Sequence, residues 1–332
     1  MIIDIHGHIS PPDMVKKYPM PPSLADIDGM VDRKAEAGID LTIVGSPVGA
    51  GAMMRVPGVD NYGQTVDQLR AFHEWLSKTC AEHAGRLKAY VYTNPLGGDD
   101  LLEEAAETLK DDAFVGLIVN TSVDGEYLDS DRADAFFALA AQLAVPVMLH
   151  PPAEPVGSTA VRDFRLVEQV GRFGDVTMGL AAIVFAGWLE KYPTLQLIAA
   201  TGGGSIALLP DKLDLAYEPR HWGGPPAPGG PPAGQPPAGV RPPMFENRIS
   251  TRPSELLRRV AVDTAAPSTV GLQANIDTFG VGQVLFGTDS PPLTAPLETT
   301  IERVRQLELP QGQTHQILAG NAQRLFGLAP TS

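Results

Sequence analysis

Short apolar, β-branched runs recur along the chain. They alternate with stretches whose apolar residues repeat every three to four positions. The runs fall at residues 1–5, 41–45, 89–92, 115–119, 145–149, 195–199, 260–263 and 284–286. Helical patterns occupy about 23–38, 64–83, 101–110, 132–143, 161–191, 206–217, 254–258, 299–307 and 314–326. The stretch at 64–83 shows the period well, with Leu69, Phe72, Leu76 and Cys80 on one face. Ser23 reads as an N-cap with Asp26 in the first turn behind it. Eight strands, each followed by helical sequence, predict a closed α/β barrel of the (β/α)8 type. A doubly wound open sheet is the alternative. The barrel is preferred because the polar residues of interest cluster at the C-terminal ends of the strands, where barrel sites are built.

The chain has 332 residues, enough for one such barrel of ~250 residues with insertions. Residues 1–328 read as a single barrel domain. Residues 223–243 are almost pure Pro, Gly and Ala and can supply neither core nor ladder hydrogen bonds. They are predicted to be an exposed insertion, not a linker, because the strand–helix alternation resumes after them. The Gly- and Met-rich segment 46–60 reads as a site loop.

A formal net charge of −14 argues against nucleic-acid binding through phosphates and against docking on anionic membranes. A small anionic substrate stays possible, because one arginine or metal dominates inside a pocket. Cys80 is the single cysteine, so no internal disulfide forms, which suits a reducing cytoplasm. Its expected role is helical packing. No signal peptide or membrane-length apolar run is read.

The candidate chemistry sits at the strand ends. His6 and His8 are two residues apart in extended chain and therefore project to the same face. Alone, they would equally describe two surface histidines. His150 ends the fifth strand, and Asp289 follows the eighth. In a barrel these ends share one mouth. Three imidazoles and a carboxylate suit Zn²⁺, with Mn²⁺ the alternative. Weaker candidates are Arg55 in the 46–60 loop, as a carboxylate fork, and Trp222 as a pocket wall. Asn120 and Asp263 end the fourth and seventh strands, where either could face the mouth or cap the next helix. Asp4 is expected behind the ligands, holding the first strand. His221 is read as a loop residue, and His73, His83 and His315 as structural or surface groups.

Asp4-Ile5-His6-Gly7-His8, Leu149-His150-Pro151, Thr201-Gly202-Gly203-Gly204, Phe286-Gly287-Thr288-Asp289 and Gly320-Asn321-Ala322-Gln323-Arg324-Leu325-Phe326 resemble the amidohydrolase superfamily. The nearest branch contains aminocarboxymuconate-semialdehyde decarboxylase and γ-resorcylate decarboxylase. The resemblance implies a distorted (β/α)8 barrel, often homodimeric, with His6, His8, His150 and Asp289 as metal ligands. Asn120 stands where binuclear members carry a bridging group, which implies one metal ion. The resemblance also implies a departure: Thr201 stands where that branch usually has a histidine touching substrate or metal-bound water. A threonine hydroxyl can hydrogen-bond but is no base near neutral pH.

What the resemblance implies for function is a metal-dependent decarboxylase of a small aromatic or unsaturated carboxylic acid, in which Asp289 shuttles the proton that replaces CO2. With Thr201 in place of histidine, direct binding of the substrate by the metal is favoured over attack by metal-bound water. A hydrolase or hydratase on the same scaffold is the alternative, and a member impaired by Thr201 is a third outcome.

Overall fold

The computed structural model describes residues 1–218, 247–265, 268–293 and 295–329. The insertion 223–243, His221 and Trp222 lie outside them. Eight strands form one parallel sheet among the described residues: β1 (Ile3–His8), β2 (Leu41–Gly45), β3 (Leu87–Tyr92), β4 (Phe114–Asn120), β5 (Pro146–His150), β6 (Gln196–Ala199), β7 (Ala261–Asp263) and β8 (Val284–Leu285). Sequential strands are neighbours throughout. Residue pairs such as Asn120 with His150 and His8 with Gly45 set the register. The first and last strands also meet: the Ile5 N–H donates to the Phe286 carbonyl at 2.9 Å, and the Asp289 N–H to the His6 carbonyl at 2.8 Å. These bonds satisfy the edges that an open sheet would leave bare, and they make the predicted barrel the observed one.

Outside the strands lie α1 (Ile27–Glu36), α2 (Val66–Glu82), α3 (Asp99–Thr108), α4 (Asp134–Leu143), α5 (Arg172–Phe185), α6 (Pro210–Tyr217), α7 (Thr269–Phe279) and α8 (Leu297–Arg305). The second begins at a reciprocal cap: Thr65 accepts from the Gln68 N–H and Gln68 from the Thr65 N–H. Its buried face carries Leu69, Phe72, Leu76 and Cys80, as the periodicity predicts, and burial pushes the Cys80 thiol up to about 12.

Three differences from the sequence expectation have local causes. Residues 161–191 are not one helix. A short turn at Phe164–Leu166 runs into a wide π turn at Val167–Gly171, then α5, and Gly187 at φ 83° ends it before Trp188–Lys191. The seventh helix escaped the sequence pattern because β-branched residues and glycine give it weak propensity. It forms on the Ser268 cap, which accepts from the Gly271 N–H, and by burying Leu272, Asn275 and Phe279. β1 extends to His8, so both histidines belong to the strand itself.

The C-terminal segment pins the last strand. The Asn321 amide donates to the carbonyls of Val281 and Val284, each at 2.8 Å, and the Phe286 N–H donates to the Ile317 carbonyl at 2.9 Å. Asn321→Ala strands one buried and one half-buried acceptor, so a loss of ~1–3 kcal/mol in stability is expected. The check is a lower denaturation midpoint at unchanged slope.

Candidate metal centre

Alternation along β1 sends Asp4, His6 and His8 to one face, and all three are essentially buried. The His6 and His8 rings meet the His150 ring edge-on, with centroids 4.9–5.2 Å apart. Asp289 completes the group through Oδ1, which lies 3.1 Å from His8 Nε2 and 3.5 Å from His6 Nε2. One ligand atom from each of the four residues lies within 4.8 Å of the others. Bonds of ~2.0–2.2 Å to a single ion place tetrahedral ligands ~3.3–3.6 Å apart, so a small contraction of the group closes it on one ion.

Each imidazole has its other nitrogen committed. His6 Nδ1 donates to Asp263 Oδ2 at 2.5 Å, His8 Nδ1 to the Gly45 carbonyl at 3.2 Å, and His150 Nδ1 to the Pro151 carbonyl at 2.8 Å. In the neutral rings this leaves every Nε2 as a lone pair. His6 Nε2 and His8 Nε2 then face each other at 3.1 Å, and His150 Nε2 is buried with no hydrogen-bond partner. Lone pairs converging in a dry pocket repel unless a positive charge sits among them. The donor set therefore fits a divalent ion.

Without an ion, a proton takes that place. Burial alone would lower the His6 value, but the Asp289, Asp263 and Asp4 carboxylates outweigh it and raise His6 to about 9. Burial, reinforced by the charge on His6, lowers His8 and His150. Burial would raise Asp289, yet the charges of His6 and His8 hold it below the usual carboxylate range.

Behind the ligands, Asp263 does more than cap the next turn. Its Oδ1 accepts from the Gly202 N–H at 2.6 Å and the Ala265 N–H at 3.2 Å, while Oδ2 orients His6. Asp4 Oδ1 accepts from the N–H groups of His6 and Thr288, each at 3.0 Å. Asp4 Oδ2 takes the Thr288 hydroxyl at 2.7 Å and the buried Lys34 ammonium. Lys34 sits on α1, and nothing in its helical pattern marks it as a partner for β1. Gly287 allows this close packing: an added Cβ would come 2.9 Å from the Asp263 Cβ and 3.0 Å from the His6 Cβ.

Thr201 sits at the turn after β6 with φ 51°, a strained value for a β-branched residue, and its hydroxyl is buried without a partner. The glycine run beyond it packs against α5, where a Cβ on Gly204 would meet Phe173 O at 2.5 Å. Asn120 is buried, and its amide donates to the Pro47 carbonyl at 2.9 Å, tying the loop after β2 to the mouth. Arg55 is 72% exposed and lies 3.7 Å from Glu154. It lines a cavity of about 540 Å³ with Asn61, Tyr62, Asp124 and Glu154; none of the four clustered residues does. His73 is buried against Glu104 at 3.0 Å, and His83 reaches Asp28 at 2.9 Å, both away from the cluster.

Residues 3–328 match the sequence model of a family described as amidohydrolase. A curated relative, 2-amino-3-carboxymuconate-6-semialdehyde decarboxylase of Dictyostelium discoideum, is 22% identical over 69% of this chain, and the match spans 58% of that protein's length. Among solved structures, 5-carboxyvanillate decarboxylase LigW from Sphingomonas paucimobilis superposes with TM-score 0.76 at 15% identity, covering 99% of both chains. The dihydroxybenzoic acid decarboxylase from Polaromonas sp. JS666, with bound manganese and the inhibitor 2-nitroresorcinol, gives TM-score 0.73 at 18% identity, over 99% of this chain and 98% of that one. These likenesses establish the fold.

Two outcomes follow. Below about 9 an ion must displace the His6 proton, so metal affinity should climb roughly tenfold per pH unit and then level off. Competition with a calibrated chelator measures this. Asp263→Asn turns an amide N–H toward His6 Nδ1 and favours the tautomer that protonates Nε2. Metal affinity should drop ~10–100-fold, read by the same titration on protein whose melting shows it folded.

Proposed function

The chain belongs to the amidohydrolase family, and from that premise we propose that it is a metal-dependent decarboxylase of a small aromatic or unsaturated carboxylic acid. The observation that carries the reading is the convergence of three imidazole Nε2 atoms and the Asp289 carboxylate on one point, with His150 Nε2 left unpartnered. Zn²⁺ suits three imidazoles and a carboxylate, and Mn²⁺ is the alternative. When bound, such an ion supplies positive charge that attracts a carboxylate and stabilises negative charge developing on the substrate.

His6, His8 and His150 hold their orientation through their Nδ1 bonds and keep water out of the floor of the site. Asp289 is the most exposed of the four, at 18%, against 1–2% for His6 and His8. Its carboxylate is ionised at neutral pH and faces the open side, so it would first take up a proton, from solvent or from a hydroxyl of the acid, and then pass that proton to the carbon losing CO2. Thr201 offers a hydroxyl to a substrate oxygen; it takes no part as a base. Asn120 acts by holding the loop after β2. Arg55 stands at the rim, where it meets an incoming acid first.

Among the described residues no helix is long and apolar enough to cross a membrane. We read the chain as a cytoplasmic homodimer. The exposed apolar residues Val161, Phe164, Leu166 and Val170 support a protein contact on that side of the mouth.

The test is product analysis with metal-loaded enzyme and hydroxylated benzoic acids, 2,6-dihydroxybenzoate among them. CO2 should be released, and one solvent deuteron should enter the ring in D2O. Asp289→Asn should lower turnover by ~100-fold or more. ¹⁸O from labelled water in the organic product would sink the reading in favour of hydrolysis or hydration.

A further inference from the structure

Arg172 opens α5, directly after the π turn at Val167–Gly171. Its guanidinium reaches over the barrel mouth. Nη2 donates to the Met53 carbonyl at 2.8 Å and the Ala153 carbonyl at 3.5 Å, so the group lies between the loops that follow β2 and β5. The Phe164 ring lies 5.9 Å from Cζ, and Glu168 Oε1 is 4.0 Å from Nη1. Only 18% of the side chain is exposed, and Nε is buried with no acceptor. The Asp289 carboxylate lies within electrostatic reach.

Tethering two loops does not require this residue. An uncharged donor could bridge two carbonyls without the cost of burying a guanidinium. A charged group kept mostly dry with an unused N–H is matched to an anion that arrives later. The local charges agree. A divalent ion together with Lys34 balances Asp4, Asp263 and Asp289; Arg172 faces Glu168 at 4.0 Å, beyond hydrogen-bond distance, so its Nε–H stays available to a bound carboxylate. Arg55, the sequence candidate for that role, is far more exposed and already beside Glu154.

The geometry points to Arg172 as a residue that recognises the substrate's carboxylate, through its unpartnered Nε–H. The inference rests on the substrate being a carboxylic acid, as proposed above. It makes Arg172, beside the ion, a determinant of preference for an anionic ligand over a neutral one of the same shape.

The experiment uses metal-loaded, full-length protein and two probes, salicylate and its neutral counterpart salicylamide, titrated calorimetrically. Arg172→Gln should weaken salicylate ~10–100-fold and move salicylamide by less than about twofold, with Arg172→Lys between wild type and Gln. Metal content should stay at the wild-type value, the variants should still melt cooperatively although at a lower temperature, and in turnover KM should rise more than kcat falls. Equal weakening of both probes, or of neither, overturns the inference and leaves Arg172 a loop tether. If Arg172→Gln does not fold, the salicylate-to-salicylamide ratio in Arg172→Lys decides the matter alone. Arg172-dependent preference for salicylate without CO2 release from any acid would retain this inference and discard the decarboxylase. CO2 release indifferent to Arg172 would do the reverse.

Discussion

Everything at the barrel mouth depends on the seam where β1 meets β8. Asp4 is buried there, and a buried carboxylate must be paired and fully hydrogen-bonded. Its four donors are the N–H groups of His6 and Thr288, the Thr288 hydroxyl and the Lys34 ammonium. Two of those donors belong to the main chain at His6 and at Thr288, the residue before Asp289. A single carboxylate thus sets the spacing between the strand carrying two imidazoles and the turn carrying the acid. The Asp289 N–H bond to the His6 carbonyl closes the same seam from above.

The electrostatics of the cluster follow from that geometry. Each imidazole surrenders its Nδ1 proton position to an acceptor outside the cluster, so three lone pairs are forced together where water cannot separate them. A cation is the natural resolution, and the raised His6 value records how strongly the site attracts one even when it is only a proton. Asp289 and Thr201 carry the strain of this arrangement, with φ of 54° and 51°. Such backbone persists because the surrounding hydrogen bonds over-determine it. At Thr201 the strain leaves a buried hydroxyl without a partner.

The sequence by itself determined the architecture and the core of the site. Strand and helix periods of two and 3.6 are local, so eight apolar runs, the shared face of His6 and His8, and the strand-end positions of His150 and Asp289 were all legible. Only the tertiary structure decided what surrounds them. Lys34 is an ordinary helical lysine until α1 lays it against Asp4, thirty positions away. Asp263 could be a helix cap until the barrel closes and brings His6 to its other oxygen. Arg172 falls inside what reads as one continuous helix; the π turn before it and the carbonyls of Met53 and Ala153 place its guanidinium over the mouth. The division has one physical cause. Periodicity encodes which face a side chain takes on its own element, whereas pairing across the barrel depends on closure, which no local window of sequence contains.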